Sequence, residues 1–102
     1  MSKRKTAADL LRLYPDRVPI VVDAKDLTIT KNKFLVPSGM VVNQFIQRVR
    51  NNVARLDETE TLFFFAGNTI VSGSITISQI YHKHKSGDGL LYLHLAKENT
   101  FG

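Results

Sequence analysis

Three histidines, six aspartates and a scatter of serines are the residues of this chain that bear directly on chemistry. His82 and His84 stand two positions apart. On a helix that spacing turns two side chains away from each other, whereas a metal pair needs i, i+4 and a third ligand. His94 lies alone in an apolar, strand-like run. Asp9, Asp16, Asp23, Asp26 and Asp88 form no evident carboxylate pair, and the serines have no recognisable base-and-orienter context. No GxSxG, HExxH or P-loop is present. With no cysteine in the chain, disulfides, a thiol nucleophile and thiolate metal ligands are excluded. The expectation is a protein that is not an enzyme, needs no cofactor and holds no metal.

Chemistry by contact is better represented. In LFFF, residues 62–65, strand alternation puts Phe63 and Phe65 on one face and Leu62 and Phe64 on the other. Either both faces are core, or one aromatic pair stays exposed as a docking patch. KNKFLVP, residues 31–37, reads as an ordinary strand with solvated lysines, or as an exposed edge able to accept a strand from a partner. The chain ends on ENTFG, a polar stretch followed by Phe101 and the side-chain-free Gly102.

The elements that position these residues follow from period and punctuation. Residues 5–13, KTAADLLRL, favour a helix with Leu10 and Leu13 at i, i+3, stopped by Pro15. Residues 18–23 read as a strand in which Pro19 suits an edge or a strand start. Residues 24–32 form a loop, and 33–36 a second strand halted by Pro37. Val42, Phe45, Ile46, Val49 and Val53 mark one stripe of an amphipathic helix from 42 to 53. Strands at 61–66 and 69–71 flank a Gly-Asn turn. A short helix over Ile77, Ile80, Tyr81 and His84 is capped by Ser74 or Thr76. Residues 90–96, apolar on both faces, suit a central final strand. This order is α+β and, with the first helix set aside, that of the ubiquitin-like β-grasp.

The 102 residues make a single domain, 43% hydrophobic, with room for one modest core. The N-terminus lacks the apolar stretch of a signal peptide, and no apolar run approaches the roughly 20 residues of a membrane span. The net charge of +5 fits a soluble basic surface, and equally nucleic-acid, anionic-membrane or acidic-peptide partners. Stacking aromatics among the basic residues, RNP-like patterns, GXXG loops and zinc fingers are all missing, which speaks against nucleic acid.

YPDRVPIVV, KNKFLVP, QFIQRVR, TLFFF, IYHKHK, DGLLYL and ENTFG stand in order along the chain. Together they closely resemble the autophagy ubiquitin-like modifier family, which includes the GABA-receptor-associated protein and the microtubule-associated protein light chain 3. The resemblance runs from about Leu10 to Gly102. It implies a β-grasp with an N-terminal helical segment in residues 1–13 and a flexible conjugation tail in 97–102. It further implies attachment of Gly102 to phosphatidylethanolamine, a role in autophagosome formation, and a location in the cytoplasm and, once lipidated, on the autophagosomal membrane. The implied partners are activating and conjugating enzymes, a deconjugating cysteine protease, and cargo receptors or adaptors carrying aromatic-x-x-aliphatic motifs, with no role for nucleic acid. A tag attached to proteins, or an adaptor that is never conjugated, stays open.

Carried over by position, the resemblance implies an aromatic pocket lined by Leu10, Pro19, Val21, Lys33, Leu35 and Leu90. It implies an aliphatic pocket lined by Phe34, Val36, Pro37, Met40, Phe45 and Val49. Arg17, Lys31, Lys33 and Arg50 would meet acidic residues, and Phe63, Phe65 and Phe101 would meet the conjugation enzymes. The sequence departs from the family at five places, one of them the loop from Ala24 to Asn32, which is shorter than usual. Only 13 residues precede Tyr14, so the family's extra first helix is expected to be absent or a stub, and the tubulin binding or membrane tethering tied to it stays open. Arg48 stands where an apolar residue usually lines the aliphatic pocket, and Leu90 where an aromatic lines the other. Val41 replaces the usual Ser or Thr helix cap, a loss of about 1 kcal/mol unless compensated.

Overall fold

The computed structural model describes residues 6–25, 27–57 and 59–98, with Glu98 described by its backbone. In chain order the elements are α1 (Ala7–Leu13), β1 (Arg17–Asp23), β2 (Lys33–Pro37), α2 (Val42–Arg50), β3 (Thr61–Ala66), β4 (Thr69–Ile70), α3 (Ile77–His84) and β5 (Leu91–Glu98). The strands form one mixed sheet in the order β2-β1-β5-β3-β4. β1 and β5 run parallel at its centre and every other pairing is antiparallel. This is the ubiquitin-like β-grasp, an α+β architecture.

Strand alternation sorts the side chains. Val18, Ile20, Val22, Phe34, Val36, Leu62, Phe64, Leu91, Leu93 and Leu95 face inward and are buried. Onto that face α2 lays Val42, Phe45, Ile46 and Val49, and α3 lays Ile77 and Ile80. Phe45 is the keystone. Its ring meets Phe34 of β2 edge-on at 5.3 Å and stacks on Phe64 of β3 at 5.4 Å. The opposite face carries Val21, Asp23, Leu35, Phe63, Phe65, Tyr92, His94 and Ala96, and α1 covers the part of it near β1. β5 is central, but its outward row is not sealed: Tyr92 stays 48% exposed.

Three local outcomes differ from the sequence reading. Pro19 lies in an interior strand. Its missing N–H is harmless because pairing with β5 begins one residue later, at Ile20. Leu13 is half exposed, so α1 is held by Ala7 and Leu10 and not by a Leu10–Leu13 stripe. α2 stops at Arg50 instead of Val53. Its last turn opens so that Asn52 can accept from the Thr30 N–H at 2.7 Å and Ala54 can donate to the Thr28 carbonyl at 2.8 Å. Val53 thereby bridges to Ile29.

The start of α2 shows how a missing cap is replaced. Val41 has no side-chain acceptor. The Val42 N–H donates to the Ile75 carbonyl at 2.9 Å, and the Asn43 N–H to the Gly73 carbonyl at 3.0 Å. The Gln44 side chain accepts from the Val41 N–H at 3.1 Å. Neighbouring backbone thus takes up helix donors that a Ser or Thr would have met in part. The approach is close: a Cβ on Gly73 would lie 2.1 Å from the Asn43 side-chain oxygen. At α3, Thr76 is the cap. It accepts from the Gln79 N–H at 3.2 Å, while Gln79 accepts from the Thr76 N–H at 2.9 Å.

Candidate functional site

A seven-residue helix is too short to persist by propensity alone, so α1 depends on its ends and its seat. Thr6 and Asp9 form a reciprocal capping box, each backbone N–H meeting the other's side chain at 3.1 Å. Ala7 is buried against Gly89. Gly89 has φ +86°, and a Cβ there would lie 3.1 Å from that of Ala7, so both backbone angle and space call for glycine. The Tyr81 hydroxyl donates to the Gly89 carbonyl at 2.8 Å and holds the loop in place. Burial pushes the Tyr81 pKa up.

Leu90 therefore ends beside α1, and a hollow of about 340 Å³ opens between α1, β1 and β2. Leu10, Pro19, Val21, Lys33, Leu35 and Leu90 all line it, joined by Thr6, Ala7, Ile20 and Phe34. Its walls are mainly apolar and Lys33 stands at the rim. The six residues assigned to the aromatic pocket converge on this one feature.

The adjoining edge is open, because β2 ends the sheet. The Val22 N–H donates to the Asn32 carbonyl at 2.8 Å, and Pro19, opposite Leu35, has no N–H. In an antiparallel ladder hydrogen-bonded and non-bonded pairs alternate. The backbone groups of Lys33 and Leu35 consequently point outward, along the rim of the hollow. A strand laid there would meet donors and acceptors at alternate residues. Arg17 reaches the Leu35 carbonyl at 3.5 Å, and the Lys31 ammonium lies 5.0 Å from the Phe34 ring centre. Three cations therefore border this edge.

The aliphatic set is divided. Val36, Phe45 and Val49 are wholly buried in the core and Phe34 nearly so, while Pro37 and Met40 are half-buried at the surface. Inward strand alternation and the buried stripe of α2 account for this. What remains on the surface is a Pro37–Met40 patch, and Arg48 is exposed on the neighbouring helix.

Arg50 does not join the other cations. It donates to the Glu60 carbonyl at 2.6 Å and the Asp57 carbonyl at 2.8 Å, tying down the loop before β3. With Asn43 and Gln47 it lines a trough of about 620 Å³ between α2 and β3. The i, i+4, i+7 spacing of those three residues already put Arg50 on a separate helix face. Glu60 is 2.8 Å from Lys97, whose bond, together with the Asp57 N–H, lowers the Glu60 pKa. The Thr59 N–H and hydroxyl lower that of Asp57.

On the outer face Phe63 and Phe65 are half-buried and meet edge to face at 5.1 Å. The Phe65 ring lies 6.4 Å from that of His94, and His94 Nδ1 is 2.5 Å from Asp23 Oδ1. His94 is thus not alone. Its partner is 71 positions away and is reached through the parallel β1–β5 register. Tyr92 donates to Asp88 at 2.5 Å, which lowers the aspartate's pKa and raises the tyrosine's. Phe101 and Gly102 lie outside the described residues. β5 extends through Glu98, past the expected start of the tail at 97.

Residues 2–102 match the sequence model of a family described as "Autophagy protein Atg8 ubiquitin like". The chain is 37% identical to Autophagy-related protein 8 of Dictyostelium discoideum, covering 100% of this chain and 88% of the relative. It is 40% identical to that of Schizosaccharomyces pombe, covering 98% and 86%. Among solved structures, Trypanosoma brucei ATG8 superposes with a TM-score of 0.83 at 35% identity, over 94% of this chain and 85% of the other. Plasmodium falciparum Atg8, solved in complex with a Plasmodium falciparum Atg3 peptide, superposes with a TM-score of 0.74 at 25% identity, over 88% and 83%.

Proposed function

The chain belongs to the Atg8 family of ubiquitin-like autophagy proteins, and from that premise we propose that it is a lipid-conjugated modifier that also docks short peptide segments. The observation that carries the docking reading is the meeting of six separated residues around one apolar hollow, beside a strand edge whose backbone groups face out. An aromatic side chain fills the hollow. The peptide backbone pairs with Lys33 and Leu35, and its acidic residues face Arg17, Lys31 and Lys33. An aliphatic residue three positions on meets Pro37 and Met40, where the pliant methionine makes room and Arg48 favours a neighbouring acid. The Plasmodium relative's complex with an Atg3 peptide supports a conjugating enzyme among the partners. Cargo receptors, an activating enzyme and a deconjugating cysteine protease complete the set.

The tail carries the second half of the function. The Gly102 carboxylate attacks the α-phosphate of ATP and releases pyrophosphate, an enzyme thiolate displaces AMP to give a thioester, and the acyl group is passed on to a second enzyme cysteine by thiol exchange. The phosphatidylethanolamine amine then displaces the thiolate and forms an amide. With no Cβ, Gly102 admits the nucleophile closely. A two-chain lipid then anchors the protein stably, which a single acyl chain would not. Phe63, Phe65 and Phe101 serve the enzymes. The chain supplies no catalytic group of its own, and the protein moves from the cytoplasm to the autophagosomal membrane.

The test is made in cells by fractionation and intact mass. Wild type is expected in the membrane fraction with a phosphatidylethanolamine adduct on Gly102, and the Gly102→Ala variant is expected without either. A lysine isopeptide in place of the lipid would make the protein a tag. Unchanged function after deletion of Gly102 would make it an unconjugated adaptor.

A further inference from the structure

The sheet has a second free edge. β4 is its last strand and consists of Thr69 and Ile70. Thr69 pairs with Ala66, and the Val71 N–H donates to the Phe64 carbonyl at 2.9 Å. The ladder's alternation therefore turns the backbone N–H and carbonyl of Ile70 outward. The Ile70 side chain is 62% exposed, the most exposed of the large hydrophobics among the described residues. Beside it, between β4 and α3, lies a cavity of about 210 Å³ walled by Ile70, Val71, Ile75 and Ile80, with Lys83 and His84 at its rim. A dry apolar cavity of about 150 Å³ holds a benzene ring, so this one has room for a single aliphatic side chain.

The rim carries one lysine cation. No carboxylate lines the cavity. Lys83 joins no ion pair among the described residues, whereas Lys85 sits over the Tyr81 ring at 5.6 Å. The helix macrodipole accounts for cations in the last turn of α3. It does not account for a free strand edge left beside an apolar hollow. A flat lipid headgroup layer would not fill a concavity bordered by a free strand edge, whereas an extended peptide would.

We propose that the β4–α3 cavity is a second docking site, taking an acidic peptide segment through one aliphatic side chain. That side chain enters the cavity, the peptide backbone meets Ile70, and its carboxylates face Lys83 and His84. The site lies at the edge of the sheet opposite β2 and requires neither the first groove nor conjugation at Gly102.

The experiment titrates the isotopically labelled full chain, at low salt, with a capped heptapeptide of one leucine flanked on each side by three glutamates. Saturable amide shifts are expected at Ile70, Val71, Ile75 and Lys83, with Lys33 and Leu35 unmoved. Lys83→Glu, an exposed change that spares the fold, is expected to weaken binding about fivefold, on the order of an exposed ion pair turned to repulsion. Exchanging the peptide's leucine for alanine is expected to abolish saturation. Equal binding of the alanine peptide, shifts confined to residues 33–36, or no saturation at all would each overturn the proposal. So would a response at these residues to phosphatidylserine vesicles but not to the peptide, since the patch would then read membrane.

Discussion

The hollow between α1 and β2 has about half the volume of the trough between α2 and β3, about 340 against 620 Å³, yet the smaller is the one proposed as a binding site. In the trough the strong groups already answer one another. Arg50 holds two backbone carbonyls, Glu60 holds Lys97, and Asp57 holds Thr59. A ligand there would have to displace bonds the fold needs. In the hollow the walls are apolar, the backbone groups of Lys33 and Leu35 face outward, and Lys33 has no partner among the described residues. Unused bonding capacity, and not volume, separates a site from a brace.

The largest test of this contrast removes what the two regions share. Phe45 touches Phe34 on the β2 side and Phe64 on the β3 side. Phe45→Ala is expected to cost about 3–5 kcal/mol in urea unfolding and to weaken both regions. A loss under about 1 kcal/mol would mean that the ring is not their common support.

Arg50→Ala then separates brace from site. It leaves two carbonyls without a charged donor, and a loss of about 1.5–3 kcal/mol in stability is expected, with peptide affinity in the hollow unchanged. The reverse result, stability kept and affinity lost, would return Arg50 to the binding surface. Leu35→Asp makes the complementary change, placing a carboxylate on a half-buried groove wall. By calorimetry it is expected to weaken an aromatic-x-x-aliphatic peptide about tenfold, with only a minor loss of stability.

The smallest effect is with pH. Asp57, Glu60 and Asp88 are all held below their ordinary pKa by hydrogen bonds that favour the charged form. Their contribution is present above the ordinary carboxylate range and is lost as pH falls through the lowered native values. The urea midpoint should therefore drop on acidification. Glu60→Gln should flatten that slope more than a change at Lys33, because Glu60 belongs to the brace. An unaltered slope would detach Glu60–Lys97 from stability.

Much of the fold was legible because its signals are local. Period two in TLFFF and period 3.6 over Val42–Val49 name the buried faces before any contact is known. The Gly-Asn turn and the choice of Ser74 or Thr76 as a cap mark two element boundaries. The ends were harder. Nothing near Val53 announces that α2 gives up its last turn to bridge Ile29, since that exchange is made with a loop more than twenty residues away. The Val41 cap looked deficient because its replacements, the carbonyls of Gly73 and Ile75, come from a distant loop. At the site, the aromatic set came from the resemblance. The burial of Val36, Phe45 and Val49 was implicit in the same alternation and stripe that defined the core.

The sequence alone determined which side chains face inward, where turns fall, the absence of thiol chemistry, and the family the motifs resemble. These depend on neighbours within a few residues, where backbone geometry sets direction. Tertiary structure decided which outward groups remain available. It paired Asp23 with His94 across 71 positions, engaged Arg50 in the trough, closed most of the aliphatic set into the core, and left the β2 rim and Ile70 open. Those outcomes turn on strand register and on which polar groups come within hydrogen-bond reach, and register is settled only when the whole sheet assembles.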